Sequence, residues 1–570
     1  MERRVLLAIF LSFVVLYVYQ QLVVKPVPKP ADATPARAEN PTTPTPQPTA
    51  SAARPPEAGT AAESNVPSAT ALVGDTTERD VRVETGDVIA VFTNRGARLR
   101  SWRLKHYMDQ QKQPQELVEN QIPTEPLPFT LRTENDQLNA TLNGRLYSVA
   151  GAPATIISSP VDIRFAYRDS AGVEVLKEFH LEPASYILAV RIDVRQGDRL
   201  VSPAIVWGPA VGDVGETSRY VQKAEGLLFL NEKVQRLAPK DMARQPAYEG
   251  DFKFAGADDN YFMTVALFTG PSKVAFHPVS IPPPSGSKEP PRDLIAFAIE
   301  PQTLALPLKF FAGPKDFDVL AAIDRDLTRA INFGVFTVLV VPLLRSLKWV
   351  NSYVGNYGWA IIILTVIINA IMFPLRHKSV VSMRKMQQIQ PEVKAIQERY
   401  AKLKTTDPAR QKMNQELMAL YRDRGVNPAS GCVPMLLTMP LIFAFYSLLS
   451  TAIELRGAPF VGWIHDLSAH DPFYVTPILM GISQVWQQRI TPASGVDPAQ
   501  QRMMMFMPVV FTFMFLWAPA GLAIYWFVSN VWGIGQQYLT NYLIGPPTVH
   551  NVRPAAERRV KRVGGGNPSS

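Results

Sequence analysis

The chain has a single cysteine, Cys432, in 570 residues, so no internal disulfide can form and no thiolate-built metal site can be assembled. Charge is scarce too: Asp, Glu, Lys and Arg make up 19% of the residues, against about 25% in an ordinary soluble protein. Signatures of covalent chemistry are missing. There is no phosphate-binding G-x-x-x-x-G-K-[ST] loop, no G-x-S-x-G elbow, no H-E-x-x-H and no Cys/His ligand spacing. His465 and His470, beside Asp466 and Asp471, read as an interfacial loop rather than a metal site. Asp258 and Asp259 are adjacent, so in a strand they would face opposite ways and make a poor acid/base pair. The expected cofactor set is empty, and no enzyme is indicated. Formal charge is also nearly absent from the long apolar runs, which argues against an ion-coupled transporter.

What is present falls into blocks. Residues 1–25 hold Arg3 and Arg4 and then an apolar run from Val5 to Val24, about the length that crosses a bilayer, with no small-x-small cleavage site. They read as an uncleaved anchor with a cytoplasmic N-terminus. Residues 26–79 form a tether, with eleven prolines between Pro26 and Pro67. Residues 80–314 carry short alternating runs such as "VRVE", "VIAVFTN" and "YILAVRIDV" between turn residues, the pattern of a large antiparallel β-sandwich. Residues 315–352 turn helical, and Phe333 to Trp349 is amphipathic and suited to lie at a membrane interface.

Residues 353–545 contain five expected spans, Tyr357 to Leu375, Val433 to Ala452, Phe473 to Ile490, Met503 to Trp517 and Leu522 to Ile544. Between Arg376 and Pro428 twelve Lys or Arg stand against five Asp or Glu, a net of +7, whereas Glu454 to Asp471 nets −2. The first loop is therefore expected to be cytoplasmic and the second external. The tail, residues 546–570, is basic again, and six spans return it to the side of the N-terminus.

Within the +7 loop, residues 376–428, Met386, Ile389, Val393, Ile396, Tyr400 and Leu403 recur at spacings of three and four. After the turn "TTDPAR", Met413, Leu417 and Leu420 continue the pattern, so a coiled-coil hairpin is expected. Its basic faces suit either plain solvation or attraction to anionic lipid or ribosomal RNA. The spans hold mild polar groups instead of charges: Thr365, Asn369, Thr438, Ser447, Gln484, Ser529, Asn530, Gln536 and Gln537. Thirteen of seventeen methionines follow residue 370, which fits adaptable apolar surfaces and ordinary packing equally well.

"MALYRDRGVNP", "GCVPMLLTMPLIFAFY", "APFVGWIHDLSAHDPFYVTPILMG" and "FMPVVFTFMFLWAPAGLAIYWFVSN" resemble the YidC/Oxa/Alb family of membrane protein insertases, and "FTNRGARLRSW" resembles the extra domain of its long form. The resemblance implies a multi-domain inner-membrane protein: an anchor, a five-helix core enclosing a hydrophilic groove, a periplasmic β-super-sandwich and a cytoplasmic hairpin. It implies insertion and chaperoning of nascent membrane proteins in the lipid bilayer, alone or with the Sec translocon, without nucleotide hydrolysis. Thr365, Asn369, Thr438, Gln484, Trp526, Ser529 and Asn530 are the expected groove lining, with Arg376 and Lys378 at its cytoplasmic entrance. Arg384, Lys385, Arg399, Lys402, Lys404, Arg558, Arg559, Lys561 and Arg562 are the expected contacts to the ribosome and signal-recognition pathway. In two places the chain departs from the family pattern: a typical arginine aligns with Asn369, and a usual glutamine with Thr438. Arg376, seven residues on and about 10 Å along the helix, is expected to supply charge at the entrance.

Overall fold

The structure is a computed structural model. It describes residues 70–109, 111–120, 122–153, 156–210, 223–268, 270–281, 291–302, 307–400, 409–426, 433–490 and 498–544. The anchor, most of the tether, the hairpin turn with Lys402 and Lys404, and the tail with Arg558, Arg559, Lys561 and Arg562 lie outside the described residues.

Alternation builds the β region. Strand Val173–Leu181 buries Val173, Val175, Lys177, Phe179 and Leu181 on one face, and pairs antiparallel with Ile187–Gln196 from Leu188 opposite Leu181 to Gln196 opposite Val173. Among the described residues, fifteen strands join one sheet and four make a second. Pairing begins before Asp80, because Ala71–Val73 already lies against Val161–Asp169. Aromatic rings fill the core. Phe129 meets Phe179 at 5.1 Å, Trp207 at 5.3 Å and Phe310 at 5.1 Å, all edge-on.

Two charged features of this core were not legible as buried. Lys177 is fully enclosed, and its Nζ donates to the carbonyls of Gly96 (2.7 Å), Phe129 (2.8 Å) and Ala97 (3.3 Å). Asp258 and Asp259 are both buried and do not sit on opposite faces of one strand, since the strand ends at Asp258. Asp258 accepts from Arg236 (2.7 Å) and Lys315 (2.9 Å). Asp259 instead closes a turn through the backbone N–H groups of Tyr261 and Phe262. An acid/base pair would need access, and both carboxylates are buried, with Asp258 Oδ2 and Asp259 Oδ1 engaged by these neighbours.

Beyond Pro314 the chain is helical. The principal helices are α1 (Thr337–Val354), α2 (Tyr357–Gln388), α3 (Gln390–Arg399), α4 (Ala409–Asp423), α5 (Val433–Thr451), α6 (Val475–Ile490), α7 (Pro498–Phe515) and α8 (Ala520–Ile544). The joint between α1 and α2 follows from two residues: Gly355 takes the left-handed conformation that ends α1 (φ 69°), and the Asn356 side chain accepts from the N–H groups of Gly358 and Trp359 to start α2. With 32 residues, α2 is about 48 Å long, longer than a bilayer core and longer than the span expected to end at Leu375. Gly334–Val354 and Tyr357–Gln388 are each long and apolar enough to cross a membrane, so the amphipathic segment expected to lie at an interface also meets that test.

The β region and the helices are joined by polar contacts. Arg456 donates to Met108 O (2.9 Å) and Gln115 Oε1 (2.7 Å) and lies over the Phe262 ring at 5.0 Å. Lys348 of α1 gathers Asp318 (2.5 Å), Glu454 (3.2 Å) and Asp316 (3.6 Å).

Candidate functional site

Helices α2 and α8 run parallel, and their contact is a polar seam inside an otherwise apolar assembly. At one level Asn369, 4% exposed, donates its amide to Thr365 O (2.8 Å) and to Ser529 Oγ (3.3 Å), while its Oδ1 accepts from Arg376 (2.7 Å). Further along, His377 Nδ1 and Thr540 Oγ1 are 3.2 Å apart, and Arg384 reaches Asn541. Ser529, Gln536 and Thr540 follow each other by seven and four residues, so they share one face of α8. Gln536 is 7% exposed, and both ends of its amide are buried without a hydrogen-bond partner among the described residues.

The seam gathers some of the expected groove residues and not others. Thr365, Asn369, Ser529 and Arg376 come together, although the Thr365 hydroxyl is used on its own helix at Ile361 O (2.6 Å). Asn530 points to the other side of α8, where it donates to Ser483 Oγ (3.0 Å) and Met480 O (3.3 Å) of α6. Gln484 of α6 is half-buried, its Oε1 without a partner among the described residues. Trp526 packs on α7, its ring 5.8 Å from Phe511 and 5.2 Å from Phe515. Thr438 lies in α5, and its side chain is outside the described residues.

Around this polar line the surface is apolar and open. Met505, Phe506, Val509, Val510 and Phe513 of α7 are all exposed, a face suited to hydrocarbon. Past the seam α3 and α4 pair: Ile389, Val393, Leu417 and Val426 are buried together with Met386, Ile396, Met413 and Leu420 around them. Gly425, with φ 60°, ends α4. Lys378 and Lys385 are exposed and Arg399 pairs with Glu416 (2.9 Å), whereas Arg384 is buried at 8% exposure. That burial follows from its place on the α8-facing side of α2.

Sequence reasoning missed His377, Thr540, Asn541 and the burial of Gln536. The available signal was the spacing Ser529, Gln536, Thr540, a polar stripe along one face of a largely apolar helix.

Residues 349–545 match the family described as "60Kd inner membrane protein", and residues 80–346 match "YidC periplasmic domain". The chain is 35% identical over 565 residues to the membrane protein insertase YidC of Syntrophus aciditrophicus, covering 95% of this chain and 99% of that one. To the membrane protein insertase YidC of Geobacter metallireducens it is 36% identical over 558 residues, 95% and 98% of the two chains. These matches run through both the β region and the helices that build the seam, and the chain belongs to the YidC family of membrane protein insertases.

Proposed function

We propose that the protein inserts nascent inner-membrane proteins into the bilayer and assists their folding, using the α2/α8 seam as a hydrophilic groove. The observation that carries this reading is the cluster of Asn369, Ser529 and Arg376 held among apolar helices. A charged residue at the centre of a span costs about 2.5–3.5 kcal/mol on the insertion scale. A polar line partway into the membrane shortens the stretch over which a client's hydrophilic flank is dehydrated, and the open apolar face of α7 lets the client's apolar segment pass into lipid. Catalysis in this sense lowers a transfer barrier and makes no covalent bond.

The same reading places the β region outside the cytoplasmic membrane face, and the α3/α4 hairpin and both termini on the cytoplasmic side, where the +7 loop charge belongs. The exposed Lys385 and Lys394 of that arm suit a polyanionic ribosome or targeting factor, and cooperation with the Sec translocon is part of the proposal.

The test is reconstitution of the full chain into lipid vesicles and translation of a small single-span client without added nucleotide hydrolysis at the membrane. Protease protection of the client's tail is expected with the protein and not with empty vesicles; equal protection in both would overturn the reading.

A further inference from the structure

On the outer face of the large sheet, His180, Ala189 and Lys309 stand in one row across three neighbouring strands, Val173–Leu181, Ile187–Gln196 and Leu308–Pro314. Strands lie about 4.8 Å apart, so the two long side chains rise about 10 Å apart on either side of a single methyl group. Ile187 and Arg191 share the orientation of Ala189, two residues away in each direction. All three line a cavity of about 420 Å³ that follows the strand, with Ile187 and Ala189 as its floor. Glu182 and Ser185 stand on one side of this trough, Pro307 and Lys309 on the other.

Its walls carry opposite charge. Glu178, His180 and Glu182 form one wall, with Asp162 paired in register behind His180, and Lys309 belongs to the other. Some of these groups satisfy one another: His180 Nδ1 lies 2.7 Å from Asp162, and Glu178 accepts from Arg164 at 2.7 Å. Glu182 and Lys309 do not. Both are exposed, and neither makes an ion pair among the described residues within the 4.0 Å that defines one. An anion and a cation thus face each other across an apolar floor that partners neither.

An extended polypeptide has the complementary form. Its successive side chains point to opposite sides, so a basic residue next to an acidic one sends a cation to Glu182 and an anion to Lys309. The floor from Ile187 to Arg191 is about 13 Å long, room for about four extended residues. The Ser185 oxygen accepts from Ile187 N (3.1 Å), which leaves its hydrogen to donate to a peptide carbonyl. The trough also lies near the helices. From Lys309 the chain runs about 23 Å to Asp316, which meets Lys348 of α1, so about seven extended residues of a client bridge from that junction to the trough.

We propose that this trough binds an extended stretch of a client's translocated segment that carries a basic and an acidic residue side by side, Glu182 taking the cation and Lys309 the anion. The client as occupant rests on the insertase reading above; the preference for such a peptide rests on the trough alone.

The experiment uses the full-length protein in lipid nanodiscs and the dye-labelled peptide Gly-Ala-Lys-Glu-Ala-Gly, with versions in which Lys, Glu or both are replaced by Gln, read by fluorescence anisotropy. The Lys-Glu peptide is expected to bind about tenfold more tightly than the doubly neutral one, about threefold for each exposed charge pair. Glu182→Lys or Lys309→Glu alone removes that advantage. The double exchange Glu182→Lys/Lys309→Glu restores it, because the peptide turns about its own axis and offers the same charges to the exchanged walls. Both side chains are exposed, so these variants fold. Ala189→Leu raises the floor without changing charge and weakens all four peptides. Equal affinity for the four peptides in the wild type overturns the proposal, as does an advantage that survives either single reversal. So does equal binding to empty nanodiscs, which would assign the peptide to the lipid surface. A wild-type protein that shows the preference but protects no client tail in vesicles overturns the insertase reading and the client as occupant, while the peptide site stands.

Discussion

The side-chain amide of Asn530 on α8 donates to the hydroxyl of Ser483 on α6 at 3.0 Å, and Asn530 is 5% exposed. A residue expected to line the groove is thus engaged in holding two helices together. Inter-helix hydrogen bonds of this kind contribute about 0.6–1.7 kcal/mol in membranes. Asn530→Leu should therefore destabilise the helical region by about 1 kcal/mol, read as a shift in detergent-induced unfolding. Ser483→Ala added to it should cost little more, because both variants remove one shared bond; full additivity would argue against the contact.

Lys348 holds a three-carboxylate junction between the β region and the helices. Glu454 is 6% exposed there, so Lys348→Met leaves a buried carboxylate unpaired and should cost about 3 kcal/mol. Lys348→Met/Glu454→Gln should recover most of that loss. Burial, then the neighbouring Asp316, pushes the Glu454 carboxyl up from its ordinary value of 4.5. The folded chain therefore holds this proton more tightly than the unfolded chain, and the junction loses stability as pH rises from about 4.5 through the raised value. Hydrogen exchange of the segment Phe317–Ile323 across that range should show the slope, and Glu454→Gln should flatten it.

Lys177 gives the opposite sign. Burial drives its ammonium well below the usual lysine range, so the unfolded chain binds the proton more tightly. Stability of the β region should then rise with pH between the lowered value and about 10.4, a slope that Lys177→Met removes. The comparison of the two proteins by hydrogen exchange in strand Val173–Leu181 isolates this group from the buried tyrosines, which both proteins share.

The fold was legible where a period survives along the chain. The strand run "VEVLKEFHL" alternates and its buried face follows the alternation, including the lysine that sequence alone would have placed in water. The seam of α3 and α4 was legible from Ile389, Val393 and Leu417 for the same reason. What could not be read was anything set by partners distant in sequence: Arg384 against Asn541, Lys177 against Phe129, Arg456 against Met108. The groove was half legible, since polarity marks Ser529 and Asn530 alike, and only the rotation of α8 decides that the first meets α2 and the second α6.

The central claim is that clients pass the α2/α8 seam. Photo-crosslinking side chains placed at Asn369 and Trp526, with one at exposed Glu174 of the β region as control, test it during translation of a small membrane protein. Adducts to the nascent chain at Asn369 and Trp526 and none at Glu174 are the predicted result; absence of adducts at both Asn369 and Trp526, with insertion still proceeding, would contradict the account.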